Sequence, residues 1–121
     1  MYHGFININK PSGISSNNVL KIIKPFLEGS KIGFVGTLDP LASGVLPICL
    51  GFATRLSDLI SEPKKEYIFK GLLGIQTDSH DSEGKIIGER KYGHVTKRDL
   101  IEFLNKLKIS YNQEAPIFSA L

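Results

Sequence analysis

Cysteine occurs once in these 121 residues, at Cys49, so an internal disulfide is excluded. Its apolar neighbours, Val45 to Leu50, read Cys49 as a small buried hydrophobe and the protein as one of a reducing, cytoplasmic compartment. No stretch approaches the roughly 18 consecutive apolar residues that a bilayer-spanning helix needs. The first residues carry no charged segment followed by a long apolar one, so neither secretion nor membrane insertion is expected. Histidine is scarce as well: His3, His80 and His94 make no zinc-ligand spacing with Cys49. The acidic stretch Asp78 to Gly84 fails as a calcium loop. With Gly84 at the invariant glycine, Ser79 stands first and Arg90 falls where the bidentate Glu is required. Neither a Walker phosphate loop nor a dinucleotide glycine pattern is present, and Ser43 has no nucleophile elbow around it. No metal and no cofactor are therefore expected.

What remains is ordinary globular composition. A hydrophobic fraction of 41% and a charged fraction of 22% suit one small domain with a modest core. Lys and Arg exceed Asp and Glu by 15 to 12, a net charge of +3 that is compatible with an anionic partner without demanding one. Lys64, Lys65, Lys70, Lys85, Arg90, Lys91, Lys97 and Arg98 read equally as phosphate contacts or as a solvated face. No repeat, low-complexity tract or linker divides the chain, which predicts one contiguous unit.

The periodicities predict an α+β fold. Phe5 to Ile8 reads as a strand ending at the turn Lys10-Pro11-Ser12-Gly13, after which Ser15 or Ser16 caps a helix carrying Val19, Leu20, Ile23 and Leu27. Pro25 ends or kinks that helix near Lys24. Val45 to Leu50 reads as a buried strand whose Pro47 points to an edge, bend or bulge. Phe52, Leu56, Leu59 and Ile60 return to helical spacing; Tyr67 to Ile75 predicts a strand, Thr77 to Gly84 a turn, and Ile86-Ile87 the start of its partner. Thr96 with Asp99 begins a last helix carrying Leu100, Ile101, Leu104 and Leu107.

One segment points to chemistry. Gly36-Thr37-Leu38-Asp39-Pro40-Leu41-Ala42-Ser43-Gly44 holds a lone carboxylate in a largely apolar loop between two glycines. Pro40 biases Asp39 toward an extended backbone, and the glycines permit positive φ or close approach. Taken alone, Asp39-Pro40 also reads as the start of a turn. A carboxylate ionised at neutral pH can act at a sugar carbon, as nucleophile or base, without a cofactor.

In order along the chain stand Lys10-Pro11-Ser12-Gly13-Ile14-Ser15-Ser16, Gly33-Phe34-Val35-Gly36-Thr37-Leu38-Asp39-Pro40, Lys65-Glu66-Tyr67, Gln76-Thr77-Asp78 with Asp81 and Gly84, and the terminal Pro116-Ile117-Phe118-Ser119-Ala120-Leu121. This ordered set resembles the TruB family of tRNA pseudouridine-55 synthases over nearly the whole chain. The resemblance implies a pseudouridine synthase-like, mainly antiparallel sheet flanked by helices. It implies isomerisation of the T-loop uridine of tRNA, with base flipping and Asp39 as the catalytic carboxylate. Tyr67 is then a platform for the extruded base, with ordinary strand packing as its other reading. Lys10 and Pro11 form the family's Lys-Pro turn, which positions the catalytic loop or touches RNA directly, and Asp81 either anchors an arginine or caps a turn.

Two positions depart from the family pattern. Phe34 replaces a His, keeping an aromatic surface but no hydrogen-bonding group. Phe52 replaces a Glu, putting a large apolar group in need of a partner where a surface charge is usual. The apolar end Ile117 to Leu121 reads as a cut strand. Residues 1–121 are accordingly expected to be the N-terminal portion of such a catalytic domain, incomplete at the C-terminus and without an RNA-binding domain. The missing half supplies, in relatives, an arginine that pairs with the catalytic aspartate. A non-catalytic RNA-binding or RNA-folding module, or a fragment needing a separately supplied second half, is the other expectation. The resemblance implies a tRNA T stem-loop as partner, and no membrane is expected; the oligomeric state is not legible, a monomer being expected of the complete form.

Overall fold

The computed structural model describes residues 1–60 and 65–107. The chain divides into two compact units, Met1–Glu66 and Tyr67–Leu121, without any linker signal in the sequence. Each unit contains an antiparallel sheet, and the helix and strand content is the expected α+β mixture. No helix among the described residues is long and apolar enough to cross a membrane.

In the first unit, strand β1 (Gly4–Lys10) pairs along its whole length with β3 (Gly44–Leu50), and β2 (Ile32–Phe34) pairs with the far end of β3. The order is β1-β3-β2. Period-two alternation puts Ile6 and Ile8 of β1 on the same face as Leu46, Ile48 and Leu50 of β3. Helix α1 (Ser16–Ile23) adds Val19 to that face, completing a core of Val19, Leu46, Ile48 and Leu50. Each such side chain contributes about 1.5–3 kcal/mol on full burial, so the stability of this unit is concentrated here. Ser15 caps α1, its Oγ accepting from the Asn18 N–H at 3.2 Å. Pro25 has no N–H to donate back along the helix, so α1 stops at Ile23 and the chain goes on as a 3-10 turn over Lys24–Leu27.

Pro47 corrects the expectation of an edge strand, because β3 is the central strand. The Pro47 carbonyl accepts from the Val35 N–H at 2.9 Å, one residue beyond the end of β2. The amide nitrogen of a strand residue points to the same side as its carbonyl, so the donor missing from Pro47 falls where the β2 ladder runs out. Cys49 is fully buried, as expected, and burial pushes its thiol up from the usual range.

A second correction concerns Phe52 to Ile60. The chain forms a 3-10 helix over Gly51–Arg55 and then successive turns, not an α-helix. Ala53 is the side chain buried here, while Phe52 and Leu59 are largely exposed, so the helical spacing does not face a core. Phe52 finds its partner within the chain: its ring stacks on His3 at 4.6 Å, its N–H donates to His3 Nδ1 at 3.1 Å, and the Arg55 guanidinium lies 5.8 Å from its centroid.

The second unit holds a hairpin of β4 (Ile75–Thr77) and β5 (Ile86–Glu89), followed by helix α2 (Lys97–Leu107). Turn and partner fall where the sequence predicts them, but the strand expected over Tyr67 to Ile75 shrinks to its last residue and extends to Thr77. A strand needs a ladder, and β5 is only four residues long, so pairing reaches back no further than Ile75. Ile68 is 97% exposed, without packing on either face. The start of α2 is the predicted capping box: the Thr96 N–H and Oγ1 donate to Asp99 Oδ2 at 2.8 and 2.7 Å, and the Asp99 N–H donates to Thr96 Oγ1 at 3.3 Å. The strand expected at residues 117–121 lies outside the described residues.

Candidate active site

The Asp39 loop joins β2 to β3, so the sheet delivers both of its ends. Gly36 and Gly44 have φ of +71° and +141°, conformations that side chains rarely adopt, which is what the flanking glycines allowed. Between them the backbone is held by the segment from Lys10 to Ser16. Ser16 is buried, and its Oγ accepts from the Leu38 N–H at 3.1 Å and donates to the Leu38 carbonyl at 2.8 Å. The Gly13 N–H donates to the Pro40 carbonyl at 2.8 Å, and Ser12 Oγ donates to the Leu41 carbonyl at 2.8 Å. The Asp39 carbonyl accepts from the Ala42 N–H at 3.1 Å, closing a turn. Every residue from Leu38 to Leu41 thus has a tethered main-chain group.

Lys10 is the centre of this clamp. The whole residue is buried, and Nζ donates to the carbonyls of Pro11, Ile14 and Pro40 at 2.9, 2.7 and 3.2 Å. Three N–H groups meet three acceptors, which is how a buried ammonium becomes tolerable. The geometry makes Lys10 a positioning residue that ties the Lys-Pro turn to the loop; its ammonium has no solvent-facing proton to offer a substrate. The exposed Pro11 contributes its carbonyl to the same cluster.

Against this fixed frame the Asp39 side chain is exposed and, among the described residues, makes no hydrogen bond or ion pair. A rigidly carried, accessible carboxylate can approach an electrophilic carbon or a proton without first being freed from a partner. Lys65 reaches the same loop: a Cβ placed on Gly36 would sit 3.4 Å from its Nζ. Phe34, at the end of β2, is half-buried and packs against the core, so only part of its ring is available as a surface.

The sequence-predicted residues divide between the units. Lys10, Pro11, Phe34 and Asp39 belong to the first, and Tyr67 and Asp81 to the second. Tyr67 is exposed and outside any strand. Asp81 stands in the β4–β5 turn, where Oδ1 accepts from Ser79 Oγ at 2.6 Å and from the Glu83 and Gly84 N–H groups at 2.9 and 3.2 Å. The Ser79 hydroxyl, then the two backbone donors, hold its carboxyl below the ordinary range. It caps this turn. Sequence reasoning did not separate the roles of Ser15 and Ser16, since both are acceptable helix caps. Only the path of the loop shows that the first serves α1 and the second the Asp39 loop.

A family model described as TruB family pseudouridylate synthase (N terminal domain) matches residues 24–121. The tRNA pseudouridine synthase B of Clostridium kluyveri is 42% identical over 118 residues, covering 98% of this chain and 40% of that protein. The tRNA pseudouridine synthase B of Lactobacillus delbrueckii subsp. bulgaricus is 43% identical over 122 residues, 100% of this chain and 41% of that protein, and so takes in the Lys10 segment as well. A solved chain from an H/ACA RNP bound to a substrate RNA containing 2'-deoxyuridine is 46% identical over 48% of this chain and 18% of its own, with a TM-score of 0.45. The chain spans about 40% of the length of the curated relatives it matches.

Proposed function

The chain belongs to the TruB family of pseudouridylate synthases, and from that premise we propose that its protein isomerises a uridine of tRNA to pseudouridine, at position 55 of the T loop, with Asp39 as the catalytic carboxylate. The reaction breaks the N1–C1′ bond of the nucleotide, turns the uracil and joins C5 to C1′, with the C5 proton lost and one gained at N1. Substrate and product are isomers, so the chemistry needs no redox partner and no activated donor. Asp39 acts as nucleophile at C1′ or as base at C2′; both routes need one anion held beside one ribose. The target base lies stacked in the T loop, so the nucleotide must be flipped out to reach the carboxylate, and Tyr67 is the ring proposed to receive it.

The observation that carries this reading is the contrast within the loop. Its main chain from Leu38 to Leu41 is tethered, in part by a buried lysine, while the carboxylate in its middle is exposed and unpaired among the described residues. Such an arrangement spends fold stability on the placement of one side chain, as catalysis by positioned charge requires. The names of the relatives supply the substrate class. The test is single-turnover conversion of a T stem-loop RNA by the protein at its natural length, beside Asp39→Asn. Loss of product on the order of 10³-fold or more, about 4 kcal/mol of transition-state stabilisation, is expected with RNA binding retained. Appreciable pseudouridine from the variant would sink the assignment of Asp39.

A further inference from the structure

The second unit carries a basic stretch that the catalytic loop leaves without a role. From Glu89 to Arg98 the chain has Arg90, Lys91, Lys97 and Arg98, with His94 between them, against Glu89 as its one acid. Arg98 is engaged with Glu102 at 3.0 Å, whereas Arg90 and Lys91 make no ion pair among the described residues. In the fold Arg90, Lys91 and His94, but not Lys97 or Arg98, line an open cleft of about 820 Å³, formed by Gly74 and Ile75 on one side of the hairpin and by the run from Glu89 to His94 on the other.

The cleft also holds a positioned ring. The Arg90 N–H donates to the Gly74 carbonyl at 2.8 Å, and Gly74, at φ +82°, lies so close under Tyr92 that a Cβ there would fall 2.6 Å from the ring. The Val95 N–H closes the following turn on the Tyr92 carbonyl at 2.9 Å. Tyr92 nevertheless stays 52% exposed, so the ring is seated on backbone and still offers surface to a ligand. Two cations and an imidazole against the single carboxylate of Glu89, with a seated aromatic ring, make one open cleft of net positive charge that matches a polyanion with flat bases. An acidic peptide would use the charges and leave the ring idle.

We propose that this cleft is an RNA-contact surface distinct from the Asp39 loop, in which Arg90 and Lys91 meet backbone phosphates, His94 donates a hydrogen bond to the same backbone, and Tyr92 stacks under a base. The inference rests on the reading that the protein acts on RNA.

Binding of a T stem-loop RNA measured by fluorescence anisotropy across a series of KCl concentrations tests it, using the protein at its natural length. Arg90→Gln/Lys91→Gln is expected to weaken binding on the order of tenfold and to reduce the slope of log K against log salt by about 1.4–1.8, the equivalent of two phosphate contacts. Tyr92→Ala is expected to weaken binding roughly tenfold at an unchanged slope, with Tyr92→Phe retaining affinity. Circular dichroism matching the parent shows that the exposed substitutions leave the fold intact. If the parent binds RNA while the double variant keeps its affinity and slope, the cleft is overturned and the catalytic reading stands. If the parent binds no RNA, both fall. An equal slope change from Lys21→Gln/Lys24→Gln would assign the effect to net charge, and tighter binding of a polyglutamate peptide than of RNA would assign the cleft to a protein; either overturns the proposal.

Discussion

Lys10 and Ser16 do their work out of reach of solvent, and their substitution separates positioning from chemistry. Lys10→Met leaves the carbonyls of Pro11, Ile14 and Pro40 without their shared donor. Stability is expected to fall by about 2–4 kcal/mol, and single-turnover conversion to fall further than RNA affinity, as denaturant titration beside the activity assay would show. Ser15→Ala and Ser16→Ala form a sharper pair. Ser15→Ala removes a helix cap, at about 1 kcal/mol, with the chemical step unchanged. Ser16→Ala removes both hydrogen bonds to Leu38, at a similar cost in stability, and is expected to slow the chemical step as well. Equal effects of the two on turnover would mean that the clamp does not position Asp39.

Helix α2 begins on charge. Asp99 accepts from both the Thr96 N–H and the Thr96 hydroxyl, and these two bonds, the backbone one first, hold its carboxyl below the ordinary value of 3.8, with His94 adding a smaller effect in the same direction. A depressed carboxyl contributes stability that is present above the unfolded value and lost as pH falls through the folded one. The start of α2 is therefore expected to fray as pH drops below 3.8, an acid transition that Thr96→Ala weakens, followed by amide shifts of Lys97 to Leu100. The strands show the opposite dependence on neighbours. Val45 to Leu50 is legible as a strand from its own residues, but its central place despite Pro47 follows from β2 ending at Phe34. Tyr67 to Leu73 has strand-forming residues and forms no strand, since pairing is a property of two segments and propensity of one.

Across the whole molecule stability is unevenly spread. Among the described residues the buried aliphatic cluster, Val19, Leu46, Ile48 and Leu50, lies in the first unit, whereas α2 has no buried residue and the second sheet is a hairpin of two short strands. Two-stranded hairpins are marginal in water. Hydrogen exchange is expected to be slowest at the paired amides of β1 and β3 and faster by orders of magnitude in β4 and β5; equal protection of the two sheets would overturn this ranking. The sequence by itself determined the local features: a serine cap at Ser15 or Ser16, the cap at Thr96, the break at Pro25, the hairpin turn before Ile86, the burial of Cys49, and Asp39 as the carboxylate set between glycines. Each depends on groups a few residues apart, whose meeting is fixed by bond geometry. Tertiary structure alone decided that Ser16 and Lys10 hold the loop across 22 and 30 residues, that Pro47 sits in a central strand, and that Arg90, Lys91 and Tyr92 share a cleft with Gly74. Those meetings are set by how the strands pair, and no local spacing encodes the register that brings a buried ammonium to a carbonyl on another loop.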